Sequence, residues 1–421
     1  MLVSADGMSS PYAIDHAFIL TCDSSWTYYG DGCLVVDSGR IEWIGDSARL
    51  PERYSDIRRI DGNGLVVLPG LVNTHSHAGL SLLRGLCDEG DLFSWAGTIG
   101  PSTSQLTLAD VAEGARIAVD AMLDAGVTCA CDCTRYGAGI FADVASKRGL
   151  RSISGALANS PELRPDGHPN WPAALDETRA ALDRHNDDQF ARFFLGAHAP
   201  YSCTTELVSI ISSHALDEGL RFVIHLAETQ REVRELKKKS GLSPTQWLDS
   251  IDALGPSTLL AHGVWLTGRD LDLVAERGAA IAHCPTSNAK LSSGIAPVRA
   301  ILDRGIPMGL GTDSMLSNNA QDILLEARQC SLLQRVRSES PTMLTTREVL
   351  ELATSGGARA LGWDDEIGSL APGKAADFVA IAVSHPRGLT LTRAMSDLVY
   401  SVGRSEIRLV ITDGEVRRDF R

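Results

Sequence analysis

The apolar and polar positions divide the chain into a β-rich start, a long middle of alternating patterns and a β-rich end. Residues 12–64 read as short strands and turns. Among them Cys33 to Val36 and Arg40 to Ile44 flank Ser38-Gly39, a hairpin signal. An apolar run then begins at Leu65, passes Pro69-Gly70 and ends in His75 and His77. On a strand, side chains at i and i+2 share a face, so the two imidazoles project together from the end of the run.

The period changes after that run. Residues 108–123 predict an amphipathic helix with Thr107 as N-cap and Gly126 near its end. Strands are predicted at 127–133, 151–157, 192–198, 221–226, 258–262, 280–283 and 307–310. Helical patterns fall at 204–216 and 268–277, and later at 322–336 and 346–361. From Gly368 the text returns to strands, at 377–383 and at 408–416 around Asp413-Gly414.

Counting the run at Leu65, the middle holds eight strand candidates, mostly separated by helical patterns. Such alternation implies a parallel sheet, and eight units imply a (β/α)8 TIM-type barrel. The alternative, an open doubly wound sheet, lacks the G-x-G-x-x-G that follows a strand in dinucleotide-binding folds. Residues 65–367 are the expected barrel, and residues 1–64 with 368–421 the expected composite β-domain built from both termini.

Composition narrows the classes of partner. The 421 residues are 44% hydrophobic and 22% charged, an ordinary globular balance. A formal net charge of -14 argues against nucleic acid or an anionic membrane as partner. No apolar run is long enough for a membrane span, and no secretory signal is visible near Met1, so a cytoplasmic location is expected. The nine cysteines show no small-scaffold spacing and read as reduced. Cys129, Cys131 and Cys133 alternate along one predicted strand. A metal reading is open to them; three small buried thiols on one strand face is the expectation.

Of eleven histidines, six end or nearly end a predicted barrel strand: His75, His77, His198, His225, His262 and His283. Strand C-termini converge on one mouth of a barrel, where active sites form. Asp313 follows the last strand, and Glu228 follows His225 by three residues. The segments Leu68 to His77, His225 to Thr229, Ala261-His262-Gly263, His283 to Asn288, Gly311 to Ser314 and Gly368 to Asp377 together resemble the motifs of the amidohydrolase superfamily, in its aminohydrolase and chlorohydrolase branch.

The resemblance runs over essentially the whole chain. It implies a metal-dependent hydrolase of carbon–nitrogen bonds other than peptide bonds, a cyclic amidine deaminase. His75, His77, His225 and Asp313 match the family's ligand positions and suit zinc, with ferrous iron as the alternative. Some relatives hold two metals through a strand-four lysine; residues 192–198 contain none, so one divalent metal is expected. A bound metal lowers the pKa of its water. Glu228 is expected to carry a proton from water to the ring, with His262 and Asp313 orienting the water.

His198 and Trp95 resemble substrate-binding positions. His283 is expected to bond only the backbone, and the loops at Asn288 and Asn318 to border the pocket. The similar relatives act on thioether nucleosides and carry an acid after the tryptophan; residues 98–105 hold none, and Met315 and Leu316 are bulky. Purine, pterin and triazine rings all stay open as the small heterocyclic substrate. Dechlorination or dealkylamination of a triazine is the alternative reaction, and a non-catalytic scaffold the alternative of another class. A homo-oligomer is expected from the family.

Overall fold

The computed structural model describes residues 10–134, 137–163, 171–383, 385 and 388–421. Strands β1 (Tyr12–Leu20), β2 (Tyr28–Asp37), β3 (Arg40–Asp46), β4 (Arg58–Asp61) and β5 (Leu65–Pro69) come from the start of the chain. The hairpin at Ser38-Gly39 is the turn between β2 and β3, which pair antiparallel. Strands β6 (Leu71–Ser76), β7 (Val127–Thr134), β8 (Arg151–Ala158), β9 (Ala191–Ala197), β10 (Arg221–Leu226), β11 (Thr258–His262), β12 (Ala280–His283) and β13 (Met308–Leu310) form the middle. Strands β14 (Phe378–Ala382), β15 (Ile407–Thr412) and β16 (Glu415–Asp419) end the chain.

The middle strands lie in the order β13-β12-β11-β10-β9-β8-β7-β6, each parallel to the next. The ring is joined by a parallel bridge between Ser76 and Asp313, and the Asp313 N–H donates to the His75 carbonyl at 2.9 Å. The barrel inferred from the alternation is therefore the one adopted. A second sheet runs β16-β15-β14-β5-β1-β2-β3, with β4 on β1, and unites both ends of the chain as expected. Among the described residues no helix is long and apolar enough to cross a membrane.

Three expectations need correction. The apolar run from Leu65 to His77 is not one strand. It breaks at Gly70, where β5 stays in the terminal sheet and β6 enters the barrel. A Cβ at Gly70 would meet Thr128 Oγ1 at 2.0 Å, and the Gly70 N–H donates to the Asp377 carbonyl at 3.0 Å. The backbone thus passes against β7 where only glycine fits, and the change of sheet falls at Gly70 rather than at residue 65. The helix predicted over 346–361 is two, Thr346–Ala353 and Ser355–Leu361. Thr354 between them is non-helical (φ -129, ψ -98), and Gly356 and Gly357 press on the backbone of Met308 and the side chain of Val72. Several helices escaped the pattern, among them α1 (Leu92–Thr103), Ile140–Arg148, Trp171–Arg184, Gln230–Ser240 and Leu391–Tyr400.

The helix α2 (Leu108–Asp124) begins as predicted, with Thr107 and Asp110 forming a reciprocal cap. Cys129, Cys131 and Cys133 are fully buried and pack with Ile153, Phe194, Val223 and Leu259. The barrel is tied to the terminal sheet by a buried bidentate pair, Arg151 Nε and Nη2 to Asp377 at 2.8 and 3.1 Å. Asp377 also accepts the Asp413 N–H at 2.9 Å.

Candidate active site

The carboxyl ends of β6, β10 and β11 and the turn after β13 bring His75, His77, His225, His262 and Asp313 together. Each Nδ1 of the four imidazoles has a partner behind it. His77 meets the Cys133 carbonyl at 2.5 Å, His225 the His198 carbonyl at 2.7 Å, His262 the Asn288 Oδ1 at 2.9 Å, and His75 the Cys133 Sγ at 3.3 Å. With Nδ1 donating, Nε2 is left as the inward-facing lone pair.

The inward atoms are close. His77 Nε2 is 3.3 Å from His225 Nε2 and 3.3 Å from Asp313 Oδ1, which is 3.7 Å from His75 Nε2. Ligands at about 2.0–2.1 Å in a tetrahedron around zinc lie roughly 3.3–3.4 Å apart, so the donors fit one such ion. His75 Nε2 is buried without a hydrogen-bond partner, as a ligand atom awaiting a cation would be. Asp313 Oδ2 accepts from Ser287 Oγ at 2.6 Å and Ser317 Oγ at 3.1 Å, which leaves Oδ1 to face the imidazoles.

Electrostatics follow from this crowding. Burial, then the neighbouring imidazoles, hold His75 and His225 well below the ordinary histidine pKa, so both stay neutral. Burial alone would raise Asp313, but His77, His262 and His75 hold its carboxyl well below the usual carboxylate range. Burial raises Glu228. Its Oε2 lies 3.8 Å from His262 Nε2. Burial opposes a charge on His262, yet the carboxylates of Glu228 and Asp313 outweigh it and raise its pKa. Ala227, His262 and Asp313 all hold left-handed backbone (φ 53, 75 and 59), conformations that cluster at functional sites.

These groups open into a pocket of about 770 Å³, counted out to its mouth. Trp95 and His198 both line it, as do His77, His225, Glu228, His262 and Asp313. Sequence reasoning missed its other walls: Leu80, Phe93, Ile99, Tyr201 and Leu291. Most of them belong to or pack against α1, whose apolar side rests on Leu291 and Leu316 in a small cluster of its own. The signal existed: Asp91 caps Phe93 and Ser94, and Leu92, Trp95 and Ile99 recur at helical spacing.

Other expectations hold only in part. The loops at Asn288 and Asn318 border the pocket through Leu291 and Ser314, while the asparagines stand behind it: Asn288 accepts from His262, and Asn318 donates to the Thr312 carbonyl and Glu326. The bulky Met315 and Leu316 are buried and do not line the pocket. Among the described residues neither ring nitrogen of His283 has a partner, backbone included, and burial pushes its pKa down to about 3.

A parallel eight-stranded barrel with imidazoles, one carboxylate and a buried glutamate at its mouth defines a hydrolase with a metal-centred site. A model of the amidohydrolase family matches residues 66–417, and the chain belongs to that family. It is a hydrolase acting on carbon–nitrogen bonds other than peptide bonds. It is 34% identical to a 5-methylthioadenosine/S-adenosylhomocysteine deaminase of Syntrophobacter fumaroxidans, over 95% of this chain and 91% of that one. It is 37% identical to a 5'-deoxyadenosine deaminase of Methanothermobacter thermautotrophicus, over 91% and 88%. The crystal structure of an adenosine deaminase from Xanthomonas campestris with bound zinc superposes with a TM-score of 0.91 at 28% identity, covering 96% of this chain and 92% of that one.

Proposed function

We propose that this chain hydrolytically deaminates an adenine-like nitrogen heterocycle and releases ammonia. The observation that carries the reading is the Glu228 carboxyl, buried 3.8 Å from His262 Nε2 in the pocket that the metal-type cluster faces. The names of the relatives at 34–37% identity point the same way.

His75, His77, His225 and Asp313 would hold one divalent ion, zinc in preference to iron, which when bound supplies a Lewis acid that makes water nucleophilic near neutral pH. Glu228, raised by burial, takes the water's proton as the new carbon–oxygen bond forms. It returns that proton to ring nitrogen as the amino-bearing carbon becomes tetrahedral; the proton of the newly added hydroxyl then passes to the amino group, the carbon–nitrogen bond breaks, and a ring carbonyl and ammonia result. His262 holds its ring through Asn288 and presents Nε2 toward Glu228 and the attacking oxygen.

The pocket bears on the substrate. Trp95 Nε1 is buried at its wall with no acceptor among the described residues, so a ring or substituent acceptor would complete it. His198 Nδ1 is held at 2.7 Å from Ser202 Oγ, which orients its other nitrogen. Among the described residues, beyond Glu228, Asp313 and the imidazoles, the lining carries no ionisable carboxylate or cation, and Leu80, Leu92, Ile99 and Leu291 are apolar. These walls suit a planar ring.

The test is an ammonia-release screen of aminopurines, their nucleosides, pterins and amino-triazines, with elemental analysis of the purified protein. Ammonia from a purine-type ring and one metal per chain are expected. Turnover confined to chloride or alkylamine release from triazines would overturn the deaminase reading, and two metals per chain would overturn the single-ion reading.

A further inference from the structure

We infer that the Cys133 thiol is a positioning residue for His75, and that the carboxyl end of β7 grips the His-x-His strand from behind. The inference rests on the metal-holding role proposed for His75.

The imidazoles are not held alike. Three of them give Nδ1 to an oxygen: a carbonyl for His77, a carbonyl for His225 and an amide oxygen for His262. His75 alone gives Nδ1 to sulfur, at 3.3 Å, and no other polar group among the described residues reaches that atom. Both side chains are completely buried, so no solvent substitutes for the contact. For Nε2 of His75 to turn its lone pair inward, Nδ1 must carry the proton, and a buried N–H needs an acceptor. The thiol sulfur is the acceptor in place.

The grip extends to the neighbouring residues. The Cys133 carbonyl takes the His77 Nδ1–H, and Asp132 Oδ1 takes the Ala78 backbone N–H at 2.5 Å and the Ser76 hydroxyl at 3.4 Å. Two consecutive residues of β7 therefore contact every residue from His75 to Ala78. Asp132 fixes the backbone on either side of His77, while Cys133 fixes the rings. Loss of the thiol leaves a buried Nδ1–H without an acceptor and a ring free to turn about χ2.

Removing a partner of this kind lowers metal affinity by about 10–100-fold. The experiment measures zinc affinity, and the rate of zinc transfer to a chromophoric chelator, with no substrate present. Cys133→Ala is expected to bind zinc about 10–100-fold more weakly than the parent. Cys133→Val, which keeps the volume but offers no acceptor, is expected to match it, and Cys133→Ser to recover most of the affinity. Cys129→Ala removes a buried thiol further back on the same strand, and is expected to hold zinc as the parent does. Parent-like affinity in Cys133→Ala and Cys133→Val would overturn the inference, and so would an equal loss in Cys129→Ala. A parent that binds zinc yet deaminates nothing would defeat the deaminase reading and leave this one standing.

Discussion

At the scale of single residues, two carboxyls illustrate opposite uses of burial. Glu228 faces the pocket, and Glu228→Gln keeps its shape while removing the proposed proton carrier. Turnover is expected to fall by roughly 10²–10⁴-fold with the metal retained; near-normal kcat at full occupancy would remove Glu228 from the proton path. Asp132 faces away from the pocket, and burial pushes its pKa up to about 7. An unfolded aspartate titrates near 4. The folded state therefore binds the proton more tightly, so this group's contribution is complete below about pH 4 and is lost as pH rises through about 7. Asp132 Oδ1 carries its bonds and Oδ2 has no partner, so Asp132→Asn keeps the acceptor and deletes the titration. Relative to the parent, the variant is expected to gain stability between pH 5 and pH 8 in denaturant titrations; an unchanged difference across that interval would refute the assignment. The histidines were legible because i, i+2 spacing and strand ends survive in sequence. The sulfur contact to His75 was not, since it depends on the pairing of β6 with β7, two strands separated by α1 and α2.

Among elements, α1 decides what the pocket recognises. Its cap and apolar spacing stand in the sequence, but Gly97, Gly100 and Pro101, poor helix formers, weaken the helical signal. Its pocket side is apolar except for the Trp95 indole N–H and the Thr103 hydroxyl, and it offers no acid to a sugar diol. A site that hydrogen-bonds a hydroxyl rejects analogues lacking it by large factors, because its own polar groups are left unpaired. The preference for a nucleoside over its free base in kcat/KM is accordingly expected to stay under about a hundredfold. A larger ratio would assign ribose recognition to another wall, with His198 and Tyr201 first to be replaced. By contrast β5 and β6 were read as one strand because residues on both sides of Gly70 are equally apolar. The break comes from contact with Thr128 and Asp377, which no local pattern records.

Across the whole molecule, barrel and terminal sheet are coupled by the Arg151–Asp377 pair, both side chains being nearly inaccessible. Breaking such a pair by removing one partner costs about 3–5 kcal/mol because the other charge stays buried. Asp377→Ala is expected to lower the denaturant midpoint accordingly while the pocket chemistry stays intact in the folded fraction; an unchanged midpoint would show the two layers to be independent. The alternation of patterns made the barrel and its terminal sheet legible, whereas this ion pair was not, because its partners are far apart in the chain. The terminal sheet has a further consequence, for how the molecule is made. Strand β5, from which the histidine strand continues, is flanked by β1 on one edge and by β14 on the other. A ribosome delivers β1 before β5, but must synthesise everything from Leu71 to Asp377 before β14 emerges. At roughly 5–20 residues per second that interval is about 15–60 s. Throughout it the nascent chain carries an open β-edge beside the root of its future catalytic strand, so translation speed and chaperone capture, not the finished fold, set how much of this protein escapes aggregation.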